Sequence, residues 1–309
     1  ISGQVLLWLL VATLAIGVTA RGSLRKLAIA AFGSASGLVL ILSSADIYRH
    51  VSVMSDWSVM TCDVGQGDAV LVRSAEKVAL IDVGKSPELV KQCLQSAGIS
   101  ELDLLILTHY DQDHVAGISG LSKVKLRQVL VSGFEDDRPV VSVVEAELTK
   151  QGITSQIALA GQQADFGECS LHILGPKNPE QAESSNEAST VSFFDCPRFQ
   201  FLHLADTGES GQERLISPVQ ALVGADSLRI VKVAHHGSSD QNEKLYQVFR
   251  PDVALYSVGV ENNYGHPTTR TLNLTAGIGS VNLRTDLDGA RGVRIGPQLE
   301  LFTAGKLST

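Results

Sequence analysis

Two β-rich halves, each a set of strands alternating with helices, predict an α/β domain of two sheets packed face to face with helices outside. Three observations carry this. Short apolar, β-branched runs alternate with helix-length segments from Asp56 onward, the alternation starts afresh near Cys169, and potential metal ligands recur wherever a strand ends. Alternation alone equally permits another α/β fold, so the motifs must decide.

The chain has 309 residues, enough for one large domain or two ordinary ones. It begins with Ile rather than Met, which reads as a piece of a longer polypeptide. Ile1 to Ala20 carries no charge and has about the length needed to cross a hydrocarbon core of roughly 30 Å. Leu27 to Ala45 is a second uncharged stretch, rich in the small residues that let membrane helices pack closely. Between them Arg21, Arg25 and Lys26 make a basic turn, cytoplasmic by the positive-inside rule. The expected organisation is two transmembrane helices within residues 1–50 (about 1–20 and 27–45), then a domain at 56–305 on the extracytoplasmic side of the cell membrane. A cleaved signal peptide is the competing reading of the first segment.

In the large domain, Trp57 to Asp63, Ala69 to Arg73 and Val78 to Asp82 read as strands. Pro87 to Ala97 reads as a helix, with Ser86 as N-cap, Pro87 at its first position and Gly98 past its end. Strands then fall at Asp103 to Thr108, Gln128 to Ser132 and Thr154 to Ala158, with helices from about Val115 and from about Val140 to Gln151. The second half places strands near Cys169 to Leu174, Thr190 to Phe194, Gln200 to Asp206, Leu228 to Ala234, Val253 to Val258 and Ser280 to Thr285. Its helices are expected at about Gly211 to Ile216, Asn242 to Phe249 and Thr268 to Ala276, and Pro176 to Ser189 is a loop by composition.

Of the chain's 25 Lys and Arg and 33 Asp and Glu, four basic residues (Arg21, Arg25, Lys26, Arg49) and one acid (Asp46) precede Asp56. The remainder is therefore strongly acidic, the wrong sign for holding nucleic acid by bulk electrostatics. A polyanionic substrate would need bound cations and a local patch. Cys62, Cys93, Cys169 and Cys196 show no C-x-x-C spacing, which disfavours a structural zinc finger. Outside the cytoplasm two disulfides are permitted, with Cys62 and Cys93 the first pair to expect; buried free thiols are the alternative.

The chemistry is concentrated in Leu-Thr-His109-Tyr-Asp111-Gln-Asp113-His114, just past a buried strand. Two carboxylates there need a partner or a cation. Alternate residues can turn to one cavity, so that His109 and Asp111 face one divalent ion while Asp113 and His114 face a second. A solvated acidic loop with two chance histidines is the bland reading. Further candidates close other strands: Asp82, Asp206 and the pair His235–His236. His172 and His203 lie inside apolar strands and read as ordinary core or face residues, and Glu209 and Glu213 as a solvated helix face.

The run His-x-Asp-x-Asp-His is a variant of the His-x-His-x-Asp-His signature and resembles the metallo-β-lactamase superfamily. Asp63-Val-Gly-Gln-Gly-Asp68, Leu80-Ile-Asp-Val-Gly84, Leu107 to His114, Val233-Ala-His-His-Gly-Ser238 and Asn263-Tyr-Gly-His-Pro267 together resemble the C-terminal domain of ComEC-type competence proteins, polytopic channels for DNA uptake. The resemblance covers about residues 56 to 305. It implies a four-layer αβ/βα sandwich with two divalent metals. His109 and Asp111 would hold one ion; Asp113, His114 and one of His235 or His236 the second; Asp206 would bridge. Asp82 would stand behind a ligand imidazole, and Asp63, Gln66, Asp68 and Asn186 behind the ligands or at the substrate's edge. A serine hydroxyl expected at position 237, in the turn after the histidine pair, would stand with them. His266 would protonate the leaving oxygen or bind phosphate, or merely cap its turn, and Asp113 would be catalytic.

The departures bear on the metal. Asp111 stands where the superfamily more often has His, and Asn186 where a further histidine is expected. Oxygen ligands favour manganese over zinc, with magnesium also possible by hardness. The implied activity is a membrane-anchored nuclease of a DNA-uptake channel, processing the strand that is not imported. Single-stranded DNA, the membrane, other competence proteins and the rest of the channel are the implied partners, with no small organic cofactor. Hydrolysis of another anionic ester or amide, and a non-catalytic DNA-binding or channel-stabilising domain, are the alternatives.

Overall fold

The structure is a computed structural model that describes residues 57–224, 227–295 and 299–303 and some positions within 22–33. The expected membrane spans, 1–20 and 27–45, lie outside the described residues but for a few positions. Among the described residues no helix is long and apolar enough to cross a membrane. Backbone contacts divide the chain into two compact units, Ile1–Val53 and Met54–Thr309.

The second unit carries two large sheets. Its first strands are β1 (Val59–Thr61), β2 (Val70–Ser74), β3 (Lys77–Ile81), β4 (Glu101–Leu102), β5 (Leu104–Leu107), β6 (Lys125–Leu126), β7 (Val129–Val131) and β8 (Gln156–Ile157). Then follow β9 (Gln163–Phe166), β10 (Cys169–Gly175), β11 (Val191–Asp195), β12 (Phe199–His203), β13 (Leu228–Lys232), β14 (Val253–Tyr256), β15 (Val281–Arg284), β16 (Arg291–Ile295) and β17 (Leu299–Thr303). One sheet runs β17-β16-β1-β2-β3-β5-β7-β8 and the other β15-β14-β13-β12-β11-β10-β9, with β4 and β6 as a small separate pair. In each, an antiparallel portion passes into a parallel one: β3, β5, β7 and β8 in the first, β12 to β15 in the second.

Side-chain alternation explains the layers. In β3 and β5, Ile81 and Ile106 turn inward to meet Phe194, Phe201, Ile230 and Leu255 of the other sheet. Their neighbours Leu80, Leu105 and Leu107 turn outward onto Val90, Leu94 and Ile118. The second sheet repeats this, with Phe193, Leu202, Val231 and Ala254 facing Leu215, Val219, Leu245 and Phe249. The result is helix, sheet, sheet, helix. Each fully buried aliphatic or aromatic side chain contributes roughly 1.5–3 kcal/mol of transfer free energy.

The helices are α1 (Pro87–Ser96), α2 (Gln112–Val115), α3 (Pro139–Lys150), α4 (Glu209–Leu222), α5 (Glu243–Phe249), α6 (Thr269–Ile278) and α7 (Thr285–Asp288). Helix α1 starts as its sequence predicts, with the Ser86 hydroxyl accepting the Leu89 N–H. Three expectations need correction. The helix expected from about Val115 begins at Gln112, inside the ligand run, and tightens at once into a 3-10 helix, Ala116–Leu121. Helix α4 outruns its expected end at Ile216, passing Pro218 to reach Leu222, because Leu215 and Val219 bury against the second sheet and packing outweighs the lost hydrogen bond. The hairpin β16–β17 was not expected, since Arg-Gly-Val-Arg-Ile is too charged to read as a strand; it returns the chain to the first sheet, beside β1.

Disulfides join Cys62 to Cys93 and Cys169 to Cys196, so the free-thiol reading does not hold. Each closes a loop within one half of the sandwich. In such loops a disulfide typically contributes about 2–4 kcal/mol.

Candidate metal centre

Parallel strands in both sheets end at one edge of the sandwich, and the ligand residues lie just beyond those ends. Asp82 follows β3, His109 follows β5, Asp206 follows β12 and His235–His236 follow β13. Strand alternation adds three residues. His203 is two positions after inward Phe201, Lys232 two after inward Ile230, and Asp68 two before inward Val70. All three are fully buried beneath the ligands.

Hydrogen bonds set the tautomer of each buried imidazole. His114 Nδ1 lies 2.8 Å from the Asp82 carboxylate, and His236 Nδ1 lies 2.9 Å from the Ser257 carbonyl. The Thr108 hydroxyl spends its only proton on Asp82 at 2.7 Å, so it accepts from His109 Nδ1 at 3.0 Å. All three rings thus turn Nε2 into the site, and none of those atoms has a hydrogen-bond partner of good geometry. Carboxylates face them: Asp206 Oδ2 is 3.3 Å from His114 Nε2 and 3.5 Å from His236 Nε2, and Asp113 Oδ2 is 3.2 Å from His236 Nε2. Ligand atoms of Asp113, His114 and His236 lie within 4.8 Å of one another, as do those of His109, His114 and Asp206. Orphaned buried nitrogens turned toward carboxylates fit a divalent cation.

Backbone strain gathers here. Among the described residues six non-glycine residues have positive φ, and four of them, Asp82, Ala205, His235 and His236, are site residues or adjoin one. Such conformations cost of order 1–3 kcal/mol each and persist only where the surroundings hold them. For Asp82 the hold is visible: its carboxylate accepts from the Thr108 N–H at 2.8 Å as well as from the Thr108 hydroxyl and His114.

Lys232 went unremarked in the sequence. Its ammonium is buried against the Asp68 carboxylate, donates to the Ala205 carbonyl at 3.2 Å and stands 3.6 Å from Asp206 Oδ1. A lysine at an inward position of an apolar strand, Ile-Val-Lys-Val-Ala, is the signal that points to it. Burial alone would lower its pKa, but Asp68 and then Asp206 hold it above the usual value. Burial would raise Asp206, yet His236 and His114 bring it well below the ordinary range. Burial and the neighbouring His114 push His109 down to about 3, while His236, opposed by burial, is raised to about 9 by Asp206 and Asp68. Protons stand where a cation's charge would otherwise be.

At the outer end of the run, Asp111 Oδ1 accepts from Arg138 Nη1 at 2.7 Å, and Oδ2 is 3.8 Å from His109 Nε2. Asp111, Arg138, Ser185 and Asn186 line a cleft of about 490 Å³ with the acidic segment 135–137. Asn186 Oδ1 is buried without a partner.

The remaining expected residues divide clearly. Gln66 ties the halves together, its Oε1 accepting the Gly259 N–H at 3.3 Å. Gly67 is obligatory: its φ is +129°, a Cβ would meet the Asp113 carbonyl at 2.0 Å, and its own carbonyl accepts the Ser257 hydroxyl at 2.6 Å. Asp63 accepts the Gly65 N–H at 3.4 Å in the same turn and belongs to no ligand cluster among the described residues.

The serine hydroxyl expected at position 237 needs correction, because that position is Gly237 and the serine follows it as Ser238. No side chain fits there: φ is +86°, and a Cβ would meet Pro267 at 2.6 Å and the Tyr256 ring at 2.8 Å. Position 237 therefore offers no hydroxyl to ligand or substrate. Ser238 serves its own turn, its hydroxyl accepting the Asp240 N–H at 3.4 Å and its carbonyl accepting the Thr271 hydroxyl and the Gln241 side chain.

Of the two adjacent histidines, His236 is buried in the cluster; His235 is half-buried, with Nε2 3.7 Å from Asp206 Oδ2. The His266 ring is 5.5 Å from that of His235, at the rim, and its Nδ1 is buried without a partner. His203 is more than a core residue, since its Nε2 is 4.0 Å from Asp68 at the site's floor. His172 bonds Gln163 at 2.7 Å on the far strands, away from the site, as expected of a face residue.

Residues 62–125 match the metallo-β-lactamase superfamily. The chain is 29% identical over 267 residues to ComE operon protein 3 of Bacillus subtilis, covering 79% of this chain and 34% of that protein. It is 27% identical over 257 residues to competence protein ComA of Neisseria gonorrhoeae, covering 82% and 34%. It thus spans about a third of the length of these relatives. Among solved structures, CmlA, a diiron beta-hydroxylase from Streptomyces venezuelae, has a TM-score of 0.54 over 78% of this chain and 55% of that chain at 14% identity, a likeness of fold alone. The chain is a homologue of competence proteins and has a metallo-β-lactamase fold of mixed α/β sheets.

Proposed function

We propose that this homologue of competence proteins is a divalent-metal-dependent phosphodiesterase that acts on DNA, processing the strand that a DNA-uptake channel does not import. One observation carries the reading: three buried imidazoles turn Nε2 atoms without hydrogen-bond partners toward Asp113 and Asp206 at the shared edge of two sheets. The competence relatives supply the DNA context. The uncharged segments Ile1 to Ala20 and Leu27 to Ala45, with the basic turn between them, support a membrane anchor. Two disulfides in the large domain suit the extracytoplasmic side.

Asp113, His114, Asp206 and His236 would hold the ion, with His109 beside them; Asp82 and the Ser257 carbonyl fix two of the rings. The bound cation supplies Lewis acidity toward a phosphoryl oxygen and toward water. Asp113, half-buried at the mouth, takes up the proton that the attacking water gives off. His266, which burial and then His235 and His236 hold below its usual pKa, is a neutral N–H donor near pH 7. That favours its binding a phosphate oxygen over its protonating the leaving group. Asp111 and Asn186, which offer oxygen where the superfamily more often has histidine, favour manganese over zinc.

The test is hydrolysis of labelled single- and double-stranded DNA by the full chain with manganese, magnesium or zinc, beside Asp113→Ala. Cleavage with manganese that is lost in the variant is expected. Metal binding without cleavage would assign the site to DNA binding or channel support, and cleavage of small esters but not DNA would assign another anionic substrate.

A further inference from the structure

We propose that the Arg138 guanidinium takes the place of an outer cation, so that the centre binds one divalent ion, held by Asp113, His114, Asp206 and His236. The inference rests on the metal-dependent reading above and concerns how many ions that reading needs.

Four residues of the ligand run offer metal-binding atoms, and Asp111 alone among them joins no cluster of three. Its Oδ1 is instead engaged by Arg138 Nη1 at 2.7 Å. The guanidinium is held in turn: Nε donates to both oxygens of Asp136 at 2.9 Å, and Nη2 donates to Asp136 and, at 2.9 Å, to the Ser185 hydroxyl. Four of its five N–H groups are thereby engaged, which leaves no fork for a phosphate. Arg138 is a fixed positive charge here rather than a substrate clamp.

A dication between His109 Nε2 and Asp111 Oδ2 would lie across one carboxylate from that charge, and a guanidinium does not shed its proton to make room. Besides Asp206, whose carboxylate already serves the inner ion, the further donor there is Asn186 Oδ1, a neutral amide oxygen lining the same cleft. The departure of Asp111 from histidine fits this arrangement. A carboxylate at that position gives the guanidinium a partner, whereas a neutral imidazole would not. The inner cluster differs in its donors: Lys232 stands across Asp206 as Arg138 does across Asp111, but Asp113, His114, Asp206 and His236 converge there to outweigh it.

The experiment loads the full chain with manganese, removes free ion, counts bound metal by mass spectrometry and records its electron paramagnetic resonance spectrum. One ion per chain with the six-line spectrum of an isolated ion is expected for the wild type and for Arg138→Lys. Arg138→Gln should take up a second ion and show the broadened spectrum of a spin-coupled pair. Two coupled ions in the wild type, or a single ion retained in Arg138→Gln, would overturn the inference while leaving the metal-dependent reading intact. No bound ion in any form would remove both.

Discussion

At the inner end of the ligand row, the His114 side chain is 0% exposed and that of Asp206 is 4%; at the outer end Asp111 is 31% exposed and its partner Arg138 is 42%. Both ends set a carboxylate against a basic side chain, Lys232 inside and Arg138 outside. Inside, water is excluded, and removing one partner leaves a buried charge uncompensated. Outside, water and salt screen the pair, which contributes little to stability. The same chemistry therefore serves as scaffold at one end and as a stand-in charge at the other.

The largest effect that would sharpen this contrast is on turnover. Asp113→Ala should lower the hydrolysis rate by about 1000-fold or more, since it removes both a ligand and the proton acceptor. Because Asp113 is half-buried and at the mouth, its melting temperature should move by only a few degrees, on the order of 1 kcal/mol. A variant that turns over at the wild-type rate would remove Asp113 from the chemistry.

Urea unfolding compares the two ends directly. Lys232→Met should cost about 3–5 kcal/mol and Arg138→Gln about 0–1 kcal/mol. Equal losses would erase the distinction between a sealed and an open end.

The pH dependence of the metal-free chain probes the inner end alone. His236 is raised to about 9 in the folded state by Asp206 and Asp68, against burial, while an unfolded histidine titrates near about 6.5. Its contribution to stability is therefore complete below about 6.5 and is lost as the pH rises through about 9. Metal-free protein should lose stability across that window, and manganese-loaded protein should not, because the cation replaces the proton. Identical thermal-melt profiles with and without manganese would argue against a cation at His236.

The smallest expected effect concerns metal choice. Asp111→His adds a nitrogen donor and removes the partner of Arg138, so zinc should gain on manganese by several-fold, on the order of 1 kcal/mol. His172→Ala, on the far strands, should change neither rate nor preference. A shift in the second variant as large as in the first would mean that the outer end has no special bearing on the metal.

Legibility in the sequence followed locality. Asp82 and Asp206 could be read because each closes a strand whose apolar run is itself plain, and Asp113 and His114 because they sit in one short run of ligand residues just past another such strand. Lys232, His203 and the depth of Asp68 were missed for a different reason. Their placement depends on which parity of each strand faces the other sheet, and that parity shows only when two or three inward residues, such as Phe201 and Ile230, are assigned together. The Arg138 contact depends on how the loop after β7 folds back, and a loop rich in acids carries no periodicity to read. His114 lies off the apolar pattern, yet the fold leans on it. With Asp82 2.8 Å from its Nδ1 and no exposure, His114→Ala strands a buried carboxylate and should destabilise the chain.

The two disulfides each close within one half of the sandwich, so no covalent link helps the sheets find one another beyond the chain itself. Their facing surfaces are aliphatic and aromatic, and such surfaces tolerate sliding. The Lys232–Asp68 pair does not: it joins β13 of one sheet to the loop before β2 of the other. A misaligned docking would bury an ammonium on one side and a carboxylate on the other. Replacing the pair with Lys232→Met and Asp68→Leu should therefore leave a chain at least as stable as Lys232→Met alone but less uniquely docked, seen as doubled amide resonances for β12 and β13. The charges beneath the site would then act as an alignment key during assembly, before any substrate arrives.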